Sequence, residues 1–207
     1  MFLKHRIGLV ILLVVGSLWT LARSVDRQAQ GMFTEDRASM AVLPQPHYEP
    51  KPEDPPWLPV LVQFHGHLGP WVVLGFRLGE AARKAVDAAG YFDVEVYCLG
   101  PFEKPPAACF LDGVQLATGA TWGKRNIAWE LAEIPAVKLT HLPTGRKAVV
   151  TVRREVVDLI AKTANQSAPQ SGRPHGAQPV DKKLDDLARQ IARMKPEELF
   201  TLELATP

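Results

Sequence analysis

The chain has 207 residues, 46% of them apolar, and its 24 Lys and Arg against 22 Asp and Glu leave a formal net charge of +2. That length allows one domain of ordinary size with extensions. The apolar share excludes a disordered chain, and so even a charge balance excludes a surface built to bind nucleic acid.

Lys4, His5 and Arg6 precede the uncharged apolar run Ile7 to Ala22, which Arg23 closes. A basic flank before such a run marks an export or anchoring segment. The run is longer than a signal-peptide core and shorter than the roughly 20 residues that span a bilayer, so residues 1–23 read as a signal peptide or a membrane anchor. The basic residues on its N-terminal side predict a main domain outside the cytoplasm, periplasmic in location. Residues 24–58 are polar and then proline-rich, ending in "LPQPHYEPKPEDPPWLP", and read as a semi-rigid linker.

From residue 59 onward helical and strand patterns mix. "WVVLGFRLGEAARKAVDAAG" sets Leu74, Leu78, Ala81, Ala82 and Val86 on one helical face and turns Arg77, Glu80, Arg83 and Lys84 away, with Gly90 as a stop. "YFDVEVYCLG" alternates, placing Phe92, Val94 and Val96 together, and "FLDGVQLATGA" returns to helical spacing. "NIAWELAE" and "AVKLTHLP" read as strands joined at Pro135, and "GRKAVVTV" as another. "RREVVDLIAKTA" repeats Val156, Val157, Ile160 and Ala161 at helical spacing. The breaker-rich "NQSAPQSGRPHGAQP" then marks a flexible insertion over 165–180, and "DKKLDDLARQIARM" forms a C-terminal helix that Lys195 and Pro196 end. The sum over 59–205 is an α+β domain, helices packed on a largely antiparallel sheet, preceded by the apolar N-terminal helix and followed by the C-terminal one.

The chemistry-bearing residues fall into three groups. In an extended backbone His65 and His67 would project to one side, where two neutral imidazoles can face a single ion, and Gly66 would let the backbone approach. A metal shell needs three or four donors, so the pair alone is equally a polar turn near a helix start. Of the two cysteines, Cys98 continues an apolar strand and reads as a small buried hydrophobe. Cys109 stands where a helix begins, a position that favours the thiolate, which is both nucleophile and metal ligand. In an exported domain the two could instead form a disulfide. Asp112 and Gln115 follow Cys109 at three-residue steps on one helical face, where the carboxylate can bind a metal, orient an imidazole, act as a base or simply favour the helix start. "TGATWGKRN" is not a phosphate-binding P-loop: Gly119 to Gly123 is one residue short and Arg125 stands where Ser or Thr would hold magnesium. It is a tight turn, or a ligand contact through Thr121 and Lys124.

Taken in order, "FHGHLGPWVVLGFRLGEAA", "ACFLDGVQLATGATWGKRNI", "TGRKAVVTV" and "KPEELF" resemble the motifs of the formylmethanofuran dehydrogenase FmdE family over about residues 60 to 205. The resemblance implies an α+β domain that binds a metal ion, usually zinc, in proteins associated with a molybdenum or tungsten enzyme of one-carbon metabolism. Carried over position by position, it implies His65, His67 and Cys109 as metal ligands and Asp112 with Gln115 beside them. It also implies that Thr121, Gly123 and Lys124 form the glycine turn. The chain departs where the family has "HGHLCPG" and "TGCT": Gly69 and Ala120 replace two cysteines, and Trp71 replaces a glycine. Loss of those thiols turns a sulfur-rich site into a His₂Cys one completed by carboxylate or water and removes dithiol redox chemistry, while Trp71 can narrow the pocket or stack on a planar ligand.

Three functions follow as expectations. One is an exported or membrane-anchored metal-binding domain acting as accessory or ligand-binding partner of an oxidoreductase. Another is a zinc-dependent enzyme with metal-activated water, Asp112 as base and Lys124 on an anionic substrate. The last is a metal-free domain kept for protein contact. A homodimer is compatible with each.

Overall fold

The structure, a computed structural model, describes residues 43–167 and 181–205. The apolar segment expected over residues 1–23, the first part of the linker and most of the 165–180 insertion lie outside the described residues. Among the described residues no helix is long and apolar enough to cross a membrane.

Among the described residues the sheet has five strands: β1 (Val94–Gly100), β2 (Ile127–Leu131), β3 (Ala136–His141), β4 (Lys147–Val152) and β5 (Phe200–Ala205). Their spatial order is β2-β1-β3-β4-β5. The β1–β2 pair is parallel, with Val96 opposite Ile127, and the other three pairs are antiparallel. The fold is therefore α+β on a largely antiparallel sheet, as its patterns indicate. β2 and β3 follow each other in sequence but do not pair, because β1 lies between them.

Alternation decides which face the helices cover. Val94, Val96 and Cys98 of β1, Val137 and Leu139 of β3, and Ala148, Val150 and Val152 of β4 are buried. The side chains between them point to a face that carries no helix. Phe92, aligned with the apolar set by alternation, precedes the strand and is 77% exposed, since β1 begins only at Val94.

The longer helices among the described residues are α1 (Leu58–His65), α2 (Pro70–Ala85), α3 (Cys109–Thr118), α4 (Arg154–Asn165) and α5 (Lys182–Arg193), and a short α6 (Pro196–Leu199) follows them. α2 starts on Gly69 with Pro70 at the first helical position, where proline's missing N–H costs nothing. α1 falls in a stretch read from sequence as linker and extended backbone. Leu58, Leu61 and Val62 bury one face of a helix that Gly66 ends in the left-handed region, φ 99°, its N–H on the Val62 carbonyl at 2.7 Å.

The compact unit begins at Pro44, so the last part of the proline-rich stretch belongs to it. His47 donates its backbone N–H to the Gly66 carbonyl at 2.9 Å. Asp54 accepts from the Tyr48 hydroxyl at 2.6 Å and from Arg189 of α5 at 2.9 Å, in an ion pair whose side chains are 2% and 5% exposed. Burial opposes ionisation of Asp54, but the hydrogen bonds from Tyr48, the Lys51 backbone and Arg189 prevail and hold its carboxyl below the usual range. Arg77, expected to point away from the core, caps the end of α5 by donating to the carbonyls of Ile191, Ala192 and Met194 at 2.7–2.9 Å.

α2 and α3 pack backbone to backbone. A Cβ on Gly75 would lie 2.0 Å from the Phe110 carbonyl oxygen, and one on Gly113 2.0 Å from the Val72 carbonyl oxygen and 2.5 Å from the Phe76 nitrogen. Neither helix can yield there by turning a side chain. Gly113→Ala is accordingly expected to lower stability by about 2 kcal/mol or more despite alanine's better helix propensity. Gly69→Ala is expected to change it little, since its Cβ meets nothing closer than the His67 ring at 3.6 Å. Chemical denaturation of the full chain measures both.

Candidate functional site

The end of α1 meets the start of α3. Gly66 turns the chain through its left-handed cap, so His65 and His67 come side by side around a helix end rather than along an extended strand. Their rings are 4.6 Å apart between centroids and tilted by 40°. The His67 backbone bridges to His47. That partner carries no recognisable signal in its proline-rich surroundings.

His65 is the organising group. Its side chain is 8% exposed, and its Nδ1 lies 2.7 Å from the Asp112 carboxylate. The other oxygen of Asp112 is within 3.5 Å of the Gln115 amide, and Gln115 is itself buried. The three-residue steps that set Cys109, Asp112 and Gln115 on one side of α3 thus turn that side toward His65. Burial alone would lower the His65 pKa. Asp112 and the neighbouring Cys109 sulfur outweigh it and hold the imidazole up at about 9. Cys109 lies close enough to add to the effect of Asp112, although its sulfur does not meet hydrogen-bond geometry with the buried Nε2 of His65.

Nε2 is therefore a buried polar atom without a partner, in a ring whose opposite nitrogen a carboxylate already orients. Such an atom costs stability unless something binds it. A carboxylate on the far nitrogen is the usual support of a metal-ligating histidine. The donors in the neighbourhood, two imidazoles and one thiol, have the chemistry of a zinc site. Among the described residues no group of three or more His, Cys, Asp or Glu is placed so that it could hold a metal ion, so these donors do not converge on one point as they stand. Gly69 stands beside the pair: its backbone is extended, φ −155°, and a Cβ built on it falls 3.6 Å from His67 Nε2. A side chain at 69 would enter this site.

The remaining candidates lie elsewhere. Thr121 caps the short 3₁₀ turn Trp122–Lys124, its hydroxyl accepting from the Lys124 backbone and ammonium, both at 3.3 Å. The ammonium also lies 5.9 Å from the Tyr91 ring centre and 5.7 Å from that of Phe92. Among the described residues no hydrogen bond, ion pair or ring contact joins Thr121 or Lys124 to His65, Cys109 or Asp112. Ala120 is fully buried, and Trp71 is half-buried against the core. Cys98 and Cys109 are both free thiols, so no disulfide joins them. Cys98 is wholly buried, which pushes its thiol up to about 12.

Residues 64–201 match the family model described as "FmdE, Molybdenum formylmethanofuran dehydrogenase operon". A curated protein of Archaeoglobus fulgidus described as a probable S-adenosyl-L-methionine-binding protein is 30% identical over 97 residues, which are 45% of this chain and 22% of that protein. The chain thus spans about a fifth of that relative's length. A solved structure from Syntrophus aciditrophicus, described as a tungsten formylmethanofuran dehydrogenase FmdE-like protein, is similar at a TM-score of 0.48 and 19% identity, covering 73% of this chain and 71% of that one.

The His65 environment has a measurable consequence. Because its folded-state pKa is raised, its contribution to the stability of metal-free protein is complete below the ordinary value of 6.5 and is lost as pH rises through about 9. Ring-proton NMR titration is expected to show one histidine titrating near 9, moving to lower pH in Asp112→Asn, where burial is left to act without the carboxylate.

Proposed function

The chain belongs to the FmdE family, and on that premise we propose that it is a metal-binding accessory domain, tethered outside the cytoplasm, serving an oxidoreductase rather than carrying out redox chemistry itself. The observation that carries the reading is the buried, unpartnered Nε2 of His65 opposite a carboxylate-bound Nδ1. His65, His67 and Cys109 would hold the metal, with zinc the best match to two imidazoles and a thiolate, and Asp112 would fix the His65 ring and strengthen it as a donor. When bound, zinc supplies a Lewis-acidic position. Gly69 and Ala120 contribute no thiol, so that position stays open to a ligand from solvent or from a partner. The absence of a neighbouring thiol pair supports an accessory role over disulfide exchange. The basic-flanked apolar run Ile7 to Ala22 supports the tether.

A second reading rests on the same residues without metal. Cys109, His65 and Asp112 are arranged as thiol, imidazole and orienting carboxylate, the order of a nucleophilic site. The His65 imidazole, held protonated by Asp112 and Cys109, favours it.

Elemental analysis of the full chain, purified in detergent, separates the two. About one equivalent of zinc is expected, lost in His65→Ala and bound about 10–100-fold more weakly in Asp112→Asn. Gly69→Cys is expected to tighten binding by returning a donor beside His67. A chain that carries no metal and takes up none on zinc titration overturns the metal reading. Rapid iodoacetamide labelling of Cys109 that EDTA leaves unchanged and His65→Ala slows would then favour the nucleophile.

A further inference from the structure

The sheet face that carries no helix holds a cavity of about 380 Å³ running across β2, β1, β3 and β4. Its volume is that of a small-ligand pocket. Glu95 and Tyr97 of β1, Lys138 of β3, Lys147 and Val149 of β4, and Arg125 at its rim line it. The site around His65 is built from helices on the other side of the sheet, so this cavity is separate from it.

Thr140 stands opposite Lys147 and Lys138 opposite Val149, which makes the two lysines diagonal neighbours on one face. Diagonal neighbours lie about 7–8 Å apart, and like charges in such positions repel. Among the described residues neither lysine, nor Arg125, forms an ion pair. Glu95 is the lining's one carboxylate, and it pairs with none of them. Tyr97, opposite both Lys138 and Ala128, donates its hydroxyl to Glu130 at 2.7 Å, which ties it down while its ring lines the cavity. Arg125 adopts φ 60°, a left-handed conformation that glycine or asparagine takes more easily. Asn126 holds that turn, donating to the Val94 carbonyl at 3.0 Å and accepting from the Thr121 N–H at 3.1 Å. A long cation is thus kept at a position where local backbone preference asks for a small residue, and it faces the cavity.

We propose that this face binds a small molecule bearing two or more negative charges, phosphate or carboxylate, held by Arg125, Lys138 and Lys147 over the Tyr97 ring. Glu95 stands diagonal to Lys138 and Glu203 diagonal to Lys147, yet neither closes an ion pair with them, so an anionic ligand would supply the direct counter-charge, and the guanidinium matches the planar geometry of both anion types. The inference does not rest on the metal reading.

Calorimetric titration of the full chain with inorganic pyrophosphate and, separately, with citrate, at constant ionic strength, tests it. Saturable one-to-one binding of at least one is expected, and which one binds identifies phosphate or carboxylate chemistry. Affinity is expected to fall at least tenfold in Lys138→Ala/Lys147→Ala and also in Arg125→Gly, a change that suits the left-handed backbone and so spares the fold. His65→Ala is expected to leave it unchanged. No saturation with either probe, affinity left unchanged in the lysine and arginine variants, or loss of binding in His65→Ala instead would overturn the proposal.

Discussion

How closely α2 and α3 approach determines the rest of the molecule. Gly75 and Gly113 remove the side chains that would hold the two helices at ordinary separation, and the backbones come into contact. That contact fixes where Cys109, Asp112 and Gln115 stand along α3, and a single methyl group between the helices would move all three together. The His65–Asp112 hydrogen bond at 2.7 Å therefore depends on residues that have no chemistry of their own. Glycine is the only residue that supplies this, because the nearest atoms are backbone carbonyls and amides that cannot rotate aside.

The second determinant is the helix end at Gly66. A left-handed cap reverses the chain, brings His67 next to His65 and receives the backbone of His47. The same turn leads through Gly69 and Pro70 into α2, so one short connection both starts the central helix and presents the two imidazoles. At Gly69 the family pattern places a cysteine, and the space beside His67 is still there to accept it. The carboxylate of Asp112 orients His65 here without a thiol at positions 69 and 120. Under the metal reading proposed above, fewer soft, charged donors would mean weaker binding and a more accessible ion.

The one-sided packing of the sheet has consequences on both faces. Helices cover the apolar face and bury Cys98 within it, where its thiol stays protonated and unreactive. The bare face is free to carry charge, and Arg125, Lys138, Lys147 and Glu95 line a cavity on it. β5 closes the far edge of this sheet, pairing only with β4, and all its residues after Phe200 are exposed.

Much of this architecture is legible in the residues alone, for identifiable reasons. Period-3.6 spacing marks α2, α3, α4 and α5 and period-2 spacing marks β1 and β4, because each element must bury one face. Pro70 shows where α2 begins, and the setting of Cys98 shows that it is core. The prolines around α1 obscure it, although Leu58, Leu61 and Val62 have helical spacing, and β5 is hidden by its exposed position with a single neighbour. That His65 and His67 could lie side by side is suggested by their proximity in sequence. Their meeting around a helix end, the pairing of His65 with Asp112 across 47 positions, and the separation of Lys124 from them are decided by tertiary structure. So is the gathering of Arg125, Lys138 and Lys147 on one face. Local spacing dictates which side of its own element a residue occupies, while the packing of glycine on backbone and the register between strands dictate which elements those sides meet.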